Sequence, residues 1–138
     1  MMHVFLSMIP PTATAQEKQS TISRGGKRVF YQNKRLQAAQ DQLTSALTPY
    51  APKKPLEGPL RLRVIWLYKS SRTHPHGMWR ATRPDTDNLN KLLKDIMTRL
   101  GYWQDDAQVC DEWIQKLWSD RPGIFIEVEA LPDQPVLA

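Results

Sequence analysis

The sequence predicts a domain that combines strands and helices, an α/β fold of the α+β type. The clearest strand pattern is LRLRVIWLY at 60–68, where apolar residues alternate with Arg61 and Arg63 on the other face. The clearest helix pattern lies at 88–100, where apolar residues recur at intervals of three and four before Gly101. GIFIEVEAL at 123–131 alternates again, and we expect it to form a final strand.

The first third of the chain contains a further strand and a further helix. The apolar run VFLSMI at 4–9 predicts a buried strand. It has no basic residue before it and is shorter than the about 7–15 residues of a signal-peptide core. The polar segment 10–31 predicts an exposed loop with a turn at its two glycines. Helical spacing returns at 33–47, and the prolines of TPYAPKKP end that helix.

Three other segments are less regular. The segment 69–84 lacks acidic residues and predicts a long loop, which in a compact domain is usually functional or disordered. In 108–118 the apolar residues have a spacing nearer to helical than to alternating, so the local pattern favours a helix. The last residues, 131–138, are expected to be a flexible tail.

Length and composition indicate one domain over residues 1–138. The chain of 16.0 kDa is 41% hydrophobic and 24% charged, which is typical of a globular protein with its own core. Its one cysteine, Cys110, excludes an intrachain disulfide and a thiolate zinc cage, and fits a reducing, cytoplasmic setting. No apolar run approaches the about 18 residues of a membrane span, so we expect no membrane partner.

Charge is divided unequally along the chain. Residues 1–84 hold 14 Lys or Arg against 3 Asp or Glu, a net of +11, whereas residues 85–138 hold 5 against 11, a net of −6. A basic first half suits a polyanion such as nucleic acid, although it also fits a solvated, mildly basic surface. An acidic second half would repel that polyanion unless cations lie between them.

Two aspartates, Asp85 and Asp87, stand where the 88–100 helix begins. If Asp87 is the N-cap of that helix, Asp85 is a surplus charge, and in an extended step the two side chains point the same way. A second pair, Asp105 and Asp106, follows the helix. Clustered carboxylates with few histidines suit Mg²⁺ or Mn²⁺, which prefer oxygen ligands and activate water for phosphate chemistry. The alternative is that these aspartates only cap a helix and form a turn.

The two pairs stand at opposite ends of a helix of about 13 residues, roughly 20 Å long. The segment from Gly101 to Asp106 spans at most about 17 Å, so it must run back along the helix, or Asp106 must come from a partner chain. We favour one chain, with Tyr102 and Trp103 pinning the segment to the helix near its apolar face. Lys91, one turn after Asp87, is placed to offset charge repulsion or to hold a phosphate oxygen, unless it is merely solvated.

The motif at 83–109, RPDTDNLNKLLKDIMTRLGYWQDDAQV, resembles the signature of the RusA-type Holliday junction resolvases. That family has Asp-x-Asp-Asn-Leu followed by a lysine and a helix, then Gly, aromatic residues, Asp-Asp-x-Gln and Val or Ile. The matching residues are Asp85, Asp87, Asn88, Leu89, Lys91, Gly101, Tyr102, Trp103, Asp105, Asp106, Gln108 and Val109. The resemblance spans residues 3 to 130, and outside this motif it consists of the order of helices and strands.

The resemblance implies a small mixed four-stranded sheet packed with about two main helices, in which 108–118 is a strand despite its local spacing. It also implies a magnesium-dependent endonuclease, with Mn²⁺ as a substitute, that acts as a homodimer on four-way DNA junctions in recombination and repair. Asp85, Asp87 and Asp106 would bind the metal and Lys91 would be needed for activity. Asp105 and Asn88 would support them, Asp105 being the less critical member of its pair.

The expected DNA contacts lie in two basic loops, and comprise Arg24, Lys27, Arg28, Lys69, Arg72, Arg80 and Arg83. Two rival functions remain at this point. A non-catalytic module for branched DNA would use the aspartates only as caps and turns. A hydrolase of small phosphates would need a glycine-rich phosphate loop, which SRGGKR is too short to form.

Overall fold

A computed structural model describes residues 1–14, 19–22, 28–31 and 34–134, with only the backbone of 19–22 and 28–31. It contains six strands, two α-helices and two short 3₁₀ helices in these ranges. In chain order they are β1 (Met2–Leu6), β2 (Gln19–Ile22), β3 (Arg28–Tyr31), α1 (Lys34–Leu47), a 3₁₀ helix (Thr48–Tyr50), β4 (Leu60–Lys69), α2 (Thr86–Arg99), a 3₁₀ helix (Asp106–Gln108), β5 (Val109–Ser119) and β6 (Gly123–Ala130).

Four strands form a mixed sheet in the order β1-β6-β4-β5. The β1–β6 and β6–β4 pairs are antiparallel, whereas β4 and β5 are parallel. A parallel pair needs a crossover connection, and α2 lies in that connection. The predicted four-stranded mixed sheet with two main helices is therefore confirmed.

The helices cover one face of this sheet. Alternate residues of β4 from Leu60 to Tyr68 are buried and belong to one apolar cluster with side chains of both helices, β1 and β6. The largest fully buried side chains in that cluster are Trp66, Trp103 and Tyr102. This one-sided burial is what the alternation in 60–68 predicts.

The pairing of β5 overrides its local pattern. Backbone register runs from Leu60 opposite Val109 to Lys69 opposite Ser119, so the segment is a strand along its whole length. Because its apolar residues have helical spacing, buried and exposed residues do not alternate regularly along β5. The strand expected from the family resemblance is confirmed, and the local preference for a helix is wrong.

Three expected boundaries need correction. The first strand ends at Leu6 rather than at residue 9, and it begins at Met2. The segment 10–31 is not wholly a loop, because Gln19–Ile22 and Arg28–Tyr31 pair as an antiparallel hairpin. The short run VFY at 29–31 after Gly-Gly is part of a hairpin signal that the polar residues before it obscured. Helix α2 begins at Thr86, two residues earlier than expected.

The long loop after β4 is ordered against the edge of the sheet. Its Gly77 amide donates to the Trp118 carbonyl at 2.9 Å, and the Trp118 amide donates to the Met78 carbonyl at 2.8 Å. The Arg80 amide donates to the Lys116 carbonyl at 3.0 Å. These bonds occupy backbone groups of β5 that an edge strand would otherwise leave exposed.

The C-terminal segment begins with a backbone hydrogen bond to the residue before β4. The Leu131 amide donates to the Pro59 carbonyl at 2.9 Å, so the expected flexible tail is attached at its first residue. Residues 135–138 lie outside the described ranges, and the extent of one domain over 1–138 stays a prediction. Among the described helices, none has the length and apolar character that crossing a membrane requires.

Candidate active site

Helix α2 begins without using an aspartate side chain as its cap. Asp85 is the N-cap, with an extended backbone at φ −73° and ψ 148°, and its carbonyl accepts the Leu89 amide at 3.1 Å. Its carboxylate makes no capping hydrogen bond, and Asp87 lies inside the first turn. The prediction that Asp87 is the N-cap is therefore wrong, because the backbone is already helical from Thr86 and Asp85 is the last extended residue before the helix.

A groove runs between α2 and the segment that leads into β5. We call it the acidic groove. Its α2 side carries residues spaced by three and four along one helix face, and its other side comes from the second 3₁₀ helix and β5. Its lining residues are Thr86, Asp87, Asn90, Lys91, Lys94, Asp106, Glu112 and Ile114.

The segment after α2 brings Asp106 back to this groove within one chain. Gly101 has φ +84°, a left-handed conformation that suits glycine, and the Tyr102 amide donates to the Met97 carbonyl at 3.0 Å. Tyr102 and Trp103 are buried in the core, and the Trp103 indole donates to the Thr98 hydroxyl at 2.7 Å. The expected fold-back pinned by this aromatic pair is what the structure shows.

Asp105 has a structural role beside the groove. Its carboxylate accepts the Ala107 amide at 2.9 Å, and the Gln108 side chain accepts the Asp105 amide at 3.1 Å. This reciprocal capping box starts the 3₁₀ helix that carries Asp106. Gln108 also donates to the carbonyls of Leu56 and Gly58, each at 3.0 Å, which fixes the turn to the neighbouring segment.

The three candidate carboxylates are not used within the described fold. Among the residues described, no side-chain hydrogen bond or salt bridge engages Asp85, Asp87 or Asp106. Asp87 and Asp106 line the acidic groove together with Lys91. Asp85 instead lines an adjoining groove with Arg80, Ala81, Thr82, Arg83, Thr86 and Lys116. The expectation that Asp85 and Asp87 share one extended step fails, because Asp87 is already helical.

Lys116 of β5 holds the segment that precedes α2, a role that sequence reasoning missed. Its amino group donates to the Thr82 carbonyl at 2.7 Å and to the Pro84 carbonyl at 2.6 Å. Burial lowers the pKa of Lys116, Arg80 lowers it further, and the nearby Asp85 opposes that change. A basic residue in a predicted strand was the only available signal, and it did not indicate a partner.

Two other groove residues were missed by the sequence reasoning. Lys94 forms a salt bridge with Glu112 between α2 and β5, so this fourth carboxylate is already paired. Asn90 is buried and faces the groove three residues after Asp87. Its helical spacing from Asp87 is visible in the sequence, but its burial is not.

The groove fits a hard divalent cation by its donor types. No group of three or more His, Cys, Asp or Glu that could hold a metal is present among the described residues. Mg²⁺ is usually held by one or two carboxylates together with waters and substrate phosphates. The unengaged oxygens of Asp87 and Asp106, with Asp85 adjoining, match that requirement.

The seven expected DNA contacts fall into three groups. Arg24 and Lys27 lie outside the described residues, and the side chain of Arg28 does so too. Arg72 and Arg83 are exposed in the loop before α2. Lys69 is exposed and donates to the Asp120 carbonyl at 3.0 Å. These assignments stay predictions.

Arg80, the seventh, is engaged inside the protein. Its guanidinium carbon lies 4.1 Å from the ring centroid of Tyr68 and 4.7 Å from that of Trp118. The same group donates to the Arg83 carbonyl at 2.6 Å. These contacts give Arg80 a structural role in ordering the loop, beside the predicted contact with DNA.

Comparison with known proteins identifies a relative along most of the chain and others over a shorter stretch. The chain is 32% identical over 117 residues to the crossover junction endodeoxyribonuclease rusA of Lactococcus phage r1t, covering 83% of this chain and 88% of the relative. It is 44% identical over 41 residues to the crossover junction endodeoxyribonuclease RusA of Escherichia coli K12, covering 30% and 34%. The rusA protein of Enterobacteria phage 82 matches with the same identity and coverage.

A family model extends the similarity beyond the motif. The model described as endodeoxyribonuclease RusA matches residues 9–129, which include the acidic groove, the loop before α2 and every strand of the main sheet except β1. The chain therefore belongs to the RusA family of endodeoxyribonucleases.

Proposed function

We propose that this protein resolves four-way DNA junctions as a magnesium-dependent endodeoxyribonuclease in recombination and repair, with Mn²⁺ as a substitute. The observation that carries the proposal is the pair Asp87 and Asp106, which line one groove without a hydrogen bond or ion pair to another described side chain. Family membership and the crossover-junction names of the relatives support the substrate class. Unpaired carboxylates are available to a cation, whereas capping carboxylates are not.

Each candidate residue has a distinct role in this proposal. Asp87 and Asp106 bind the cation in the acidic groove, and Asp85 binds it from the adjoining side. A bound Mg²⁺ supplies an activated water and charge stabilisation at the phosphate. Lys91 lies in the same groove and holds a phosphate oxygen of the scissile strand. Asp105 supports the site from the turn that carries Asp106, and Asn88 supports it from the first turn of α2.

The substrate geometry favours a homodimer. A four-way junction with two-fold symmetry requires two symmetric nicks, and each chain brings together one set of Asp87 and Asp106. Two copies related by a two-fold axis supply two such sets. Because its substrate is cellular or phage DNA and its one cysteine, Cys110, is free, we infer that the protein acts in the cytoplasm.

The proposal is tested by cleavage of a synthetic four-way junction with Mg²⁺, beside a linear duplex of the same sequence. We expect cleavage of the junction, and its loss in Asp85→Asn, Asp87→Asn and Asp106→Asn while junction binding is kept or strengthened. Asp95→Asn is the matched control, because Asp95 is exposed on α2 and does not line the acidic groove. Near-parental cleavage by Asp87→Asn would refute the cation assignment.

Mixed dimers test whether one chain builds each site. When Asp85→Asn and Asp106→Asn subunits are mixed, every single-chain site contains one broken ligand, so activity stays absent. Recovery of nicking in the mixture would show that two chains contribute to each site.

A further inference from the structure

The buried amide of Asn90 is unusual for this helix. Asn90 is 1% exposed, and neither its Oδ1 nor its Nδ2 has a hydrogen-bond partner among the described residues. The neighbouring Leu89 and the later Leu93 are buried as apolar core residues. A buried amide without partners is unfavourable by about 1–3 kcal/mol, so packing alone does not explain an asparagine here.

The position of Asn90 links it to the candidate cation site. It lies three residues after Asp87 on the same face of α2, and both line the acidic groove opposite Asp106. Lys91 and Lys94 also line this groove, so it already contains both signs of charge. A neutral oxygen can join this set without adding to the repulsion between the carboxylates.

We propose that Asn90 is a positioning residue of the divalent-cation site, with its Oδ1 accepting a hydrogen bond from a water bound to the cation. This inference rests on the proposed function and deepens it. Hard cations accept amide oxygens beside carboxylates, and a partner beyond the direct ligands typically changes metal affinity by about 10- to 100-fold.

The competing explanation is that Asn90 is only a buried polar residue of the fold. The two explanations differ in what an apolar substitution does. If Asn90 serves the cation, Asn90→Leu removes an unsatisfied amide, so thermal stability stays equal or rises while cation binding weakens. If the amide stabilises the fold, the same substitution lowers the melting temperature and leaves cation binding to the folded protein unchanged.

The experiment measures Mn²⁺ affinity without DNA, by calorimetry or by the electron paramagnetic resonance signal of free Mn²⁺. We expect Asn90→Leu and the smaller Asn90→Ala each to weaken Mn²⁺ binding by about 10- to 100-fold. Junction cleavage by both should recover as Mn²⁺ is raised. Gln42→Leu is the matched control, because it removes an exposed amide from α1 and should leave affinity unchanged.

The outcomes separate this inference from the proposed function. Parental Mn²⁺ affinity in both Asn90 variants, with binding lost in Asp87→Asn, overturns the role of Asn90 alone. Parental affinity in Asp87→Asn overturns the cation site itself. Failure of both Asn90 variants to fold also overturns the inference, because it would show that the amide stabilises the protein.

Discussion

Lys116 offers the sharpest test of how the fold places Asp85. Replacing it with methionine keeps most of the stem but removes the two bonds to Thr82 and Pro84, of 2.7 and 2.6 Å. Thr82 is exposed, so water can replace the lysine there, whereas Pro84 is buried. The net loss is therefore near that of one hydrogen bond to a charged group, about 1.5–3 kcal/mol.

This loss should appear as local opening where α2 begins. At about 1.4 kcal/mol per factor of ten, the segment before α2 opens roughly 10- to 100-fold more often. The Leu89 amide, which donates to the Asp85 carbonyl at 3.1 Å, reports that opening by hydrogen exchange. We expect its exchange to accelerate by this factor in Lys116→Met, together with slower cleavage of junctions.

The control for this experiment is Lys54→Met, which removes an exposed lysine far along the chain from α2. In Lys54→Met, the hydrogen exchange of the Leu89 amide and the cleavage of junctions should match those of the parent. Unchanged Leu89 exchange in Lys116→Met would refute the reasoning. If Lys116 acts through Asp85, adding Lys116→Met to Asp85→Asn should not weaken Mn²⁺ binding further.

Four other expectations follow from single residues. Burial raises the pKa of Tyr102 to about 12, so the unfolded chain ionises first and the parent loses stability as pH rises from about 10 to 12. Urea unfolding should show this loss, and Tyr102→Phe should reduce it to the part that comes from Tyr68, whose pKa burial also raises. A Cβ on Gly123 would lie 2.3 Å from Phe5 Cζ and 2.7 Å from the Leu6 oxygen, so Gly123→Ala should lower the free energy of unfolding by about 1–3 kcal/mol. Arg72→Ala and Arg83→Ala should each reduce the salt dependence of junction binding by about 0.9 in the log–log slope with little change in melting temperature. Arg80→Ala should also lower the melting temperature, because its guanidinium packs on Tyr68 and Trp118.

The elements with a clear period were predictable from sequence alone. Strand β4 and helix α2 each bury one regular face. The buried residues recur every two residues in β4 and every three or four residues in α2, and both periods are local properties of the sequence. The β2–β3 hairpin was missed because its strands are only four residues each and β2 is largely polar. Strand β5 needed the family resemblance, because its parallel pairing with β4 is a long-range property that no local period reports.

The candidate site was predictable in its residue types but not in its arrangement. The motif identified Asp87, Asp106 and Lys91, and these three line one groove. The partners of Lys116 are backbone carbonyls more than thirty residues away, so side-chain chemistry in the sequence does not indicate them. The burial of Asn90 depends on how α2 meets β5, which is again decided by tertiary packing.

Two aspartates at the start of one helix are explained by the field of that helix. The N-terminus of a helix carries a partial positive charge, which favours anionic side chains in the first turn without direct bonds to them. Asp85 at the N-cap and Asp87 in the first turn both lie within reach of this charge, yet neither is engaged as a side-chain cap. Lys91 and Lys94 follow along the groove and further offset the repulsion between carboxylates. The fold thus places these carboxylates in the field of the helix while leaving their oxygens free of hydrogen bonds within the described residues. That combination is what a site for a hydrated divalent cation requires, and helix capping alone would have used those oxygens.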